Sequence, residues 1–446
     1  MSGNQPELEG DPPATLTARL KEWMSLDPEV LTLSLAMMIF SLILQMTARF
    51  VPEYLSVLGA GAAIVGLYGT FEEIVNSFFP YLGGVLSDRA GSRITLTVFG
   101  GMTSLGFLTW AVIPWMEPLQ WNGLTLPNWF WVFPGLVLVL GWKELGLGAT
   151  FALVKDAVPT DRLARGFAST EVFRRIGFLL GPLVASGLLW YFSSFRTGFP
   201  IILFLAAGIG VLATILQLRG YRVADEQFNA SDRSRDSETE RWWASVLEDF
   251  RNLPNKLKPL LLGDTFVRFG NGMVYVFFIL AITRYHEVGL DLGWTTLSPA
   301  SFFGVLLGIE MTVALLIMIP AARVADVLGQ KPVVAFGFLV YAVFPMLLIY
   351  APSRAPVMIL LFAFSGLRFA GMPAHKAAIV GPARSGKGGS TTGVYYVIRN
   401  TIKTPAPALG GLLFEWSPQA SFTAATVIGV TGVVLYVLYG TRLEPE

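Results

Sequence analysis

Cysteine is absent from the 446-residue chain, and histidine occurs only as His286 and His375. Thiolate zinc sites, iron–sulfur clusters, disulfides and cysteine nucleophiles are thereby excluded, and a bis-histidine haem is not expected. Charge is scarce as well. Asp, Glu, Lys and Arg make up 14% of the residues, against about 25% in a soluble domain. The 32 basic and 31 acidic residues leave a net charge of +1, so no global field steers the chain towards nucleic acid. What is there instead is apolar: 53% hydrophobic residues with 33 Phe, and a mean hydropathy of +0.58. An ordinary cytosolic enzyme and a disordered scaffold are ruled out by these figures.

A bilayer core about 30 Å thick takes about 20 apolar residues at 1.5 Å each. Runs of that kind bounded by Pro, Gly or charge fall at 30–56, 61–86, 92–115, 129–154, 167–192, 198–220, 259–284, 297–325, 331–351, 356–380, 390–415 and 419–441. The fold class is therefore an all-α membrane protein of twelve transmembrane helices in two six-helix halves. Residues 1–221 hold an N-terminal tail and the first half, 222–257 a charged linker, and 258–446 the second half. The linker contains an amphipathic piece with Trp242, Trp243, Val246, Leu247 and Phe250 at helical spacing, suited to a membrane surface. The first 30 residues, acidic and then amphipathic, have the wrong order for a cleavable signal. Lys and Arg gather in the connections after even-numbered spans, including Arg89, Arg93, Lys155, Arg162, Lys331 and Lys376, whereas the opposite connections hold Arg196, Arg284 and Arg354. By the positive-inside bias both termini are expected in the cytoplasm, and the membrane is expected to be the plasma (inner) membrane.

Six spans, a linker and six spans suggest duplication. After span two stands Gly84-Val85-Leu86-Ser87-Asp88-Arg89-Ala90-Gly91-Ser92-Arg93, and after span eight Ala322-Arg323-Val324-Ala325-Asp326-Val327-Leu328-Gly329-Gln330-Lys331. Spans four and ten match through Gly141-Trp142-Lys143-Glu144-Leu145-Gly146 and Gly366-Leu367-Arg368-Phe369-Ala370-Gly371. In spans five and eleven, Arg174 and Pro182 lie eight apart, as do Arg399 and Pro407. Lys143 to Arg368 and Arg174 to Arg399 share one offset, 225 residues. The paired loops resemble the signature of the major facilitator superfamily, and the resemblance covers essentially the whole chain. It implies a secondary transporter working by alternating access. Asp88 and Asp326 would bond backbone donors of the next helix and pair with basic neighbours, holding helices together in one state.

Within that resemblance, Arg175-Ile176-Gly177-Phe178-Leu179-Leu180-Gly181-Pro182 is similar to the glycine-proline motif of proton-driven antiporters, with the upstream glycine missing. Glycine there also has a packing explanation, since small residues let helices approach closely. Drug antiporters often carry an Arg four residues before a Gly in span four. Trp142 holds that place here, and Lys143 sits one residue, about 100°, further round the helix.

Ionisable side chains at mid-bilayer are costly and mark polar pathways. Glu72 and Glu310 each stand sixteen residues before the motif aspartates, hence at equivalent depth. Lys143, Arg268 and Arg368 are also within spans, with Asp264 one turn from Arg268, while Arg49 is expected in the outer third of span one. Spans one, four, seven and ten would line the cavity in this fold. Substrate-binding candidates are therefore Lys143, Arg268, Arg368, Asp264, Trp142 and Phe369, and proton-coupling candidates Glu72, Glu144 and Glu310. Glu73 adjoins Glu72, so one of the two is expected to face the cavity. The alternative is that these charges are neutralising pairs, such as Glu310 with Arg268 or Arg368. Gating candidates are Gly84, Asp88, Arg89, Gly91, Arg93, Asp326, Gly329, Lys331, Arg174, Arg175, Gly181, Pro182 and Arg399. Glu171, Arg174, Arg175, Arg399 and Lys403 form either an inner gate or residues snorkelling at the interface. His375 reads as a passive interfacial histidine.

The expected function is secondary active transport of a small organic solute, proton-coupled, with export favoured. Uptake or exchange of an organic anion is the alternative, as is a membrane sensor that kept the fold. No ATP-binding loop is present, and the buried carboxylates lack a His or Cys companion of the kind a membrane enzyme needs. The expected partners are substrate, protons and lipid, with no cofactor, metal or nucleic acid, and the chain is expected to be a monomer.

Overall fold

The computed structural model describes residues 28–121, 123–146, 149–150, 163–220, 254–255, 257–380 and 388–440. Both the tail and the amphipathic linker lie outside them, as do Lys155, Arg162, Arg384, Lys387 and the side chains of Asp88 and Arg165.

In the first half, α1 (Pro28–Thr47) continues through a tight turn at Ala48–Phe50 into Val51–Val57, and α2 is Ala62–Ala90. There follow α3 (Ser92–Val112), α4 (Val132–Val139, then the widened turn Gly141–Leu145), α5 (Leu163–Phe192) and α6 (Phe195–Gly220). In the second half, α7 (Lys258–Val274) runs on to a widened turn at Ala281–Tyr285, and α8 and α9 are Pro299–Leu328 and Gln330–Ile349. Next, α10 is Ala355–Gly366 with a tightened stretch Leu367–Gly371 and then Met372–Val380; α11 is Gly388–Lys403 with Ala406–Trp416, and α12 is Pro418–Tyr439. Small antiparallel hairpins, Leu119–Trp121 with Leu124–Leu126 and Leu290–Asp291 with Thr296–Leu297, join α3 to α4 and α7 to α8.

Among the described residues, nine helices are long and apolar enough to cross a membrane. They turn apolar side chains such as Leu316, Ile319, Leu360 and Leu438 outward. Outside that set are α2, with Glu72, Glu73 and Asn76 in its middle, α4, which runs into undescribed residues, and α11. The sequence pattern predicts α11 as one span, but it breaks at Thr404 and Pro405, where two closely spaced prolines remove helix donors.

The halves meet along two seams, α5 against α8 and α2 against α11. Glycines set the approach. A Cβ on Gly304 of α8 would sit 2.5 Å from the Pro182 carbonyl oxygen of α5, and one on Gly66 of α2 would sit 2.5 Å from that of Pro407 in α11. Polar links lie close by. Ser186 and Ser301 each donate a 2.7 Å hydrogen bond to the other's carbonyl, and Ala63 N donates to Glu415 Oε2 at 2.9 Å. Glu53 of α1, itself buried, accepts from Arg284 and Thr283 of α7 at 2.9 and 2.8 Å. These contacts gather at the end of the bundle away from Pro28 and Tyr439. The halves are sealed at this distal end, and the charged interior lies on the terminal side of the seal.

Candidate functional site

Helix α1 presents Met37, Ser41, Leu44, Gln45, Ala48, Arg49 and Pro52 to a cavity of about 880 Å³. Their spacing is that of one face of a 3.6-residue helix. Across from it stand Tyr68 and Glu72 of α2, Trp142, Lys143 and Glu144 of α4, Phe178 of α5, Tyr275 of α7 and Phe303 of α8. A second cavity of about 440 Å³ shares Gln45, Arg49, Glu72, Lys143, Arg174 and Tyr275 and extends between the halves to Arg268, Glu310, Tyr341, Arg368, Phe369 and Lys403. The two are one continuous chamber lined from both halves.

On the first-half side the charges are loosely held. Lys143 and Glu144 occupy the widened turn of α4, a helix irregularity common at functional sites. They pair with each other at 2.5 Å, and the Lys143 side chain is still 43% exposed. Trp142 lines the chamber with its ring stacked on Phe40, centroids 4.3 Å apart. Glu73 pairs with Lys403 of α11 at 2.8 Å, and Glu171 pairs with Arg174 and Arg175 of its own helix at 2.7 and 3.0 Å. Among the described residues Glu72 has neither ion pair nor hydrogen bond, although it lines both cavities. Arg49 likewise has no carboxylate partner; its guanidinium lies 3.8 Å above the Tyr275 ring.

On the second-half side the charges are locked together. Arg368, on the tightened stretch of α10, pairs with Glu310 of α8 at 2.9 Å, each side chain being 3% exposed. Ser365 donates a short hydrogen bond to the same Glu310 oxygen. Arg268 of α7 pairs with Asp264 at 3.2 Å and donates to the Tyr341 hydroxyl at 3.0 Å. The Tyr341 ring takes both guanidinium groups, Arg268 at 4.6 Å and Arg368 at 4.9 Å. Asp264 is fully buried and does not line either cavity. Its carboxylate also accepts from Arg399 Nη1 (3.2 Å) and the Tyr395 hydroxyl (3.1 Å), and His375 Nε2 lies 3.3 Å away. The Asp264 cluster thus ties α7, α10 and α11 together.

The loop-motif residues work inside each half. Gly91 and Gly329 both adopt left-handed φ, +83° and +85°, at the junctions α2–α3 and α8–α9, where a side chain would be strained. Arg93 at the start of α3 donates to Leu218 O near the end of α6 at 2.8 Å, and Lys331 at the start of α9 donates to Gly440 O after α12 at 2.5 Å. A cation at a helix C-terminus meets the negative end of the helix dipole. Asp326 is exposed. Gly84 faces open space, and it is Gly83 whose added Cβ would collide with the Leu145 carbonyl of α4. Gly181 packs on α1, where a Cβ would lie 2.6 Å from Leu42 O, and Pro182 meets Gly304. Arg175 Nη1 reaches Met318 of α8 at 3.4 Å.

Three placements differ from the sequence expectations. Glu72 and Glu73 both line the chamber, because α2 stands in the seam and residues 100° apart face α4 on one side and α11 on the other. Arg49, expected higher in span one and left out of the candidate set, lines both cavities; its place on the stripe with Gln45 and Pro52 was the signal for it. His375 is not passive at the interface but buried against Asp264.

A family model described as Major Facilitator Superfamily matches residues 33–309 and 260–446. An uncharacterized MFS-type transporter of Methanocaldococcus jannaschii is 24% identical over 396 residues, covering 88% of this chain and 89% of its own. Among solved structures, a variant of the nucleoside transporter NupG aligns with a TM-score of 0.73 at 12% identity, over 92% of this chain and all of that one. A POT peptide transporter variant in complex with sulfate aligns at 0.65 and 16% identity, over 92% and 93%. At these identities the likeness to the solved structures is one of fold.

Proposed function

Because the chain belongs to the major facilitator superfamily and is a multi-pass secondary transporter, we propose that it carries a small organic anion together with a proton, the two halves rocking about the central chamber. The rocking units are residues 1–221 and 258–446, and the basic loops put the terminal face in the cytoplasm. Glu72 is the observation that carries the reading. Every other lining carboxylate has a basic partner, Glu73 with Lys403, Glu144 with Lys143, Glu171 with Arg174 and Arg175, Glu310 with Arg368. A carboxylate that lines the chamber without a partner is free to take and release protons, and Arg49 is the matching unpaired cation on the same lining. An anion bound at Arg49 cancels the positive field that favours ionised Glu72 and adds repulsion, so anion and proton bind together. That is the thermodynamic basis of symport.

The test uses protein in liposomes with an internal pH dye and a panel of organic anions. Wild type should move protons when an anion is added. Glu72→Gln should lose that flux at least tenfold while counterflow of labelled anion continues. Undiminished proton flux in Glu72→Gln overturns the assignment. Proton-driven export is the second reading, favoured by the similarity of Gly177, Gly181 and Pro182 to the antiporter motif. In that case lipophilic cations, not anions, would trigger proton movement, in the opposite direction.

A further inference from the structure

We infer that the acid this chamber takes is a monoanion with a ring-bearing, apolar body, its acidic group on Arg49 and its body against the aromatic wall of the larger cavity. The inference rests on the anion-carrier reading and names its substrate class.

The charge of the ligand follows from the pairing. Lys143, Arg174, Arg175, Arg368 and Lys403 each have a lining glutamate, and Arg268 has Asp264. Arg174 and Arg175 share the single Glu171, and Arg49 alone among the described lining cations has no carboxylate partner, so it is the cation open to a ligand without displacing one. A second negative charge on the ligand would have to displace a carboxylate from its partner and leave it uncompensated inside the bundle, which is strongly unfavourable. The geometry of Arg49 suits an acidic group that offers two oxygens. The Arg49 Cζ lies 3.8 Å from the centroid of the Tyr275 ring, a contact that occupies no N–H donor and so leaves the guanidinium fork for two parallel hydrogen bonds to an acid.

The body of the ligand follows from the wall. Lining the same cavity as Arg49 are Tyr68, Trp142, Phe178 and Phe303, with Leu44 and Ile279. Trp142 is held rigid by its stack on Phe40, so the wall is preformed and favours flat apolar groups by offset or edge-on contact. At about 880 Å³ the chamber is of the size that holds drug-sized ligands. An acid of a few atoms would leave those rings wet, whereas a fused-ring acid displaces the water from them.

The test is equilibrium binding of labelled naphthalene-2-sulfonate to the purified full chain, chosen because it stays ionised and does not leak through lipid. Competitors are naphthalene-2-carboxylate, its neutral carboxamide, naphthalene-2,6-dicarboxylate and acetate. The naphthalene monoanions should compete at least tenfold better than the other three. Arg49→Gln should reduce monoanion binding at least tenfold to the level of the carboxamide, with Arg49→Lys intermediate. Phe303→Ala should weaken the ring acids and leave acetate unchanged, a readout that remains if Arg49→Gln fails to fold. Equal or tighter binding of the dicarboxylate or acetate overturns the inference, as does unchanged binding in Arg49→Gln. The two proposals fail separately. Ring monoanions that bind while Glu72→Gln keeps its proton flux sink only the coupling. Acetate or dicarboxylate that drives Glu72-dependent flux without ring monoanions binding sinks only the substrate class.

Discussion

Glu72 and Glu310 stand at the same distance from matching loop motifs, yet one faces the chamber without a partner and the other is clamped by Arg368 and Ser365. The difference starts one residue after the equivalent cations. Lys143 is followed by Glu144, which pairs with it at 2.5 Å, so Lys143 makes no ion pair with Glu72. Arg368 is followed by Phe369, which offers only a ring face at 5.0 Å, so the guanidinium turns to Glu310. Equivalent position in a repeat fixes the depth of a charge; the neighbouring side chain fixes what the charge does. On this view the second half is the braced partner and the first half carries the exchangeable charges.

Removing the brace should have the largest effect. Arg368→Ala leaves Glu310 buried without compensation, a loss of about 3–5 kcal/mol, seen as a steep fall in thermal stability in detergent. Lys143→Ala removes a lysine whose side chain is 43% exposed beside a buried Glu144 and should cost less stability than Arg368→Ala, where both partners are 3% exposed. Equal losses in the two variants would break the comparison. A smaller effect should come from copying the second half into the first. Glu144→Phe frees Lys143 to turn towards Glu72, and a cation in contact favours the ionised carboxylate. Anion-triggered proton flux should then fall towards that of Glu72→Gln, read from initial rates in liposomes.

The smallest effect concerns a group outside the chamber. His286, just past α7, is bonded to the Leu348 carbonyl and Ser353, and burial pushes it below the ordinary histidine value. The folded state therefore binds fewer protons than the unfolded one. The stability this contributes is complete above the ordinary value of about 6.5 and is lost as pH falls below it. Melting temperature measured between pH 7.5 and 5 should drop, and His286→Asn should flatten part of that drop.

Much of the fold was legible because a bilayer leaves so little choice. The run read at 198–220 is the helix Phe195–Gly220, and that read at 331–351 is Gln330–Ile349. Local chemistry broke the pattern where it competed with apolar length, at Pro405 in α11 and at the widened turn carrying Lys143. The charged residues of the chamber were equally visible, since each is an expensive exception in an apolar run. Their pairing was not. Asp264 and Arg268 lie one turn apart, but the first points into the packing of α7, α10 and α11 and the second towards Tyr341 and the second cavity. Which way each points depends on neighbouring helices that sequence order does not supply. Glu73 was passed over because it adjoins Glu72, and Arg49 because of its expected depth, although its stripe with Gln45 and Pro52 was visible in the sequence.

The division of labour between the two glutamates is tested most directly by measuring anion-triggered proton flux for Glu72→Gln and Glu310→Gln side by side in liposomes, normalised to folded protein. Flux should vanish in Glu72→Gln with counterflow intact. Glu310→Gln should melt at lower temperature yet keep proton coupling in the fraction that folds. Coupling that survives in Glu72→Gln and is lost in Glu310→Gln would contradict the account.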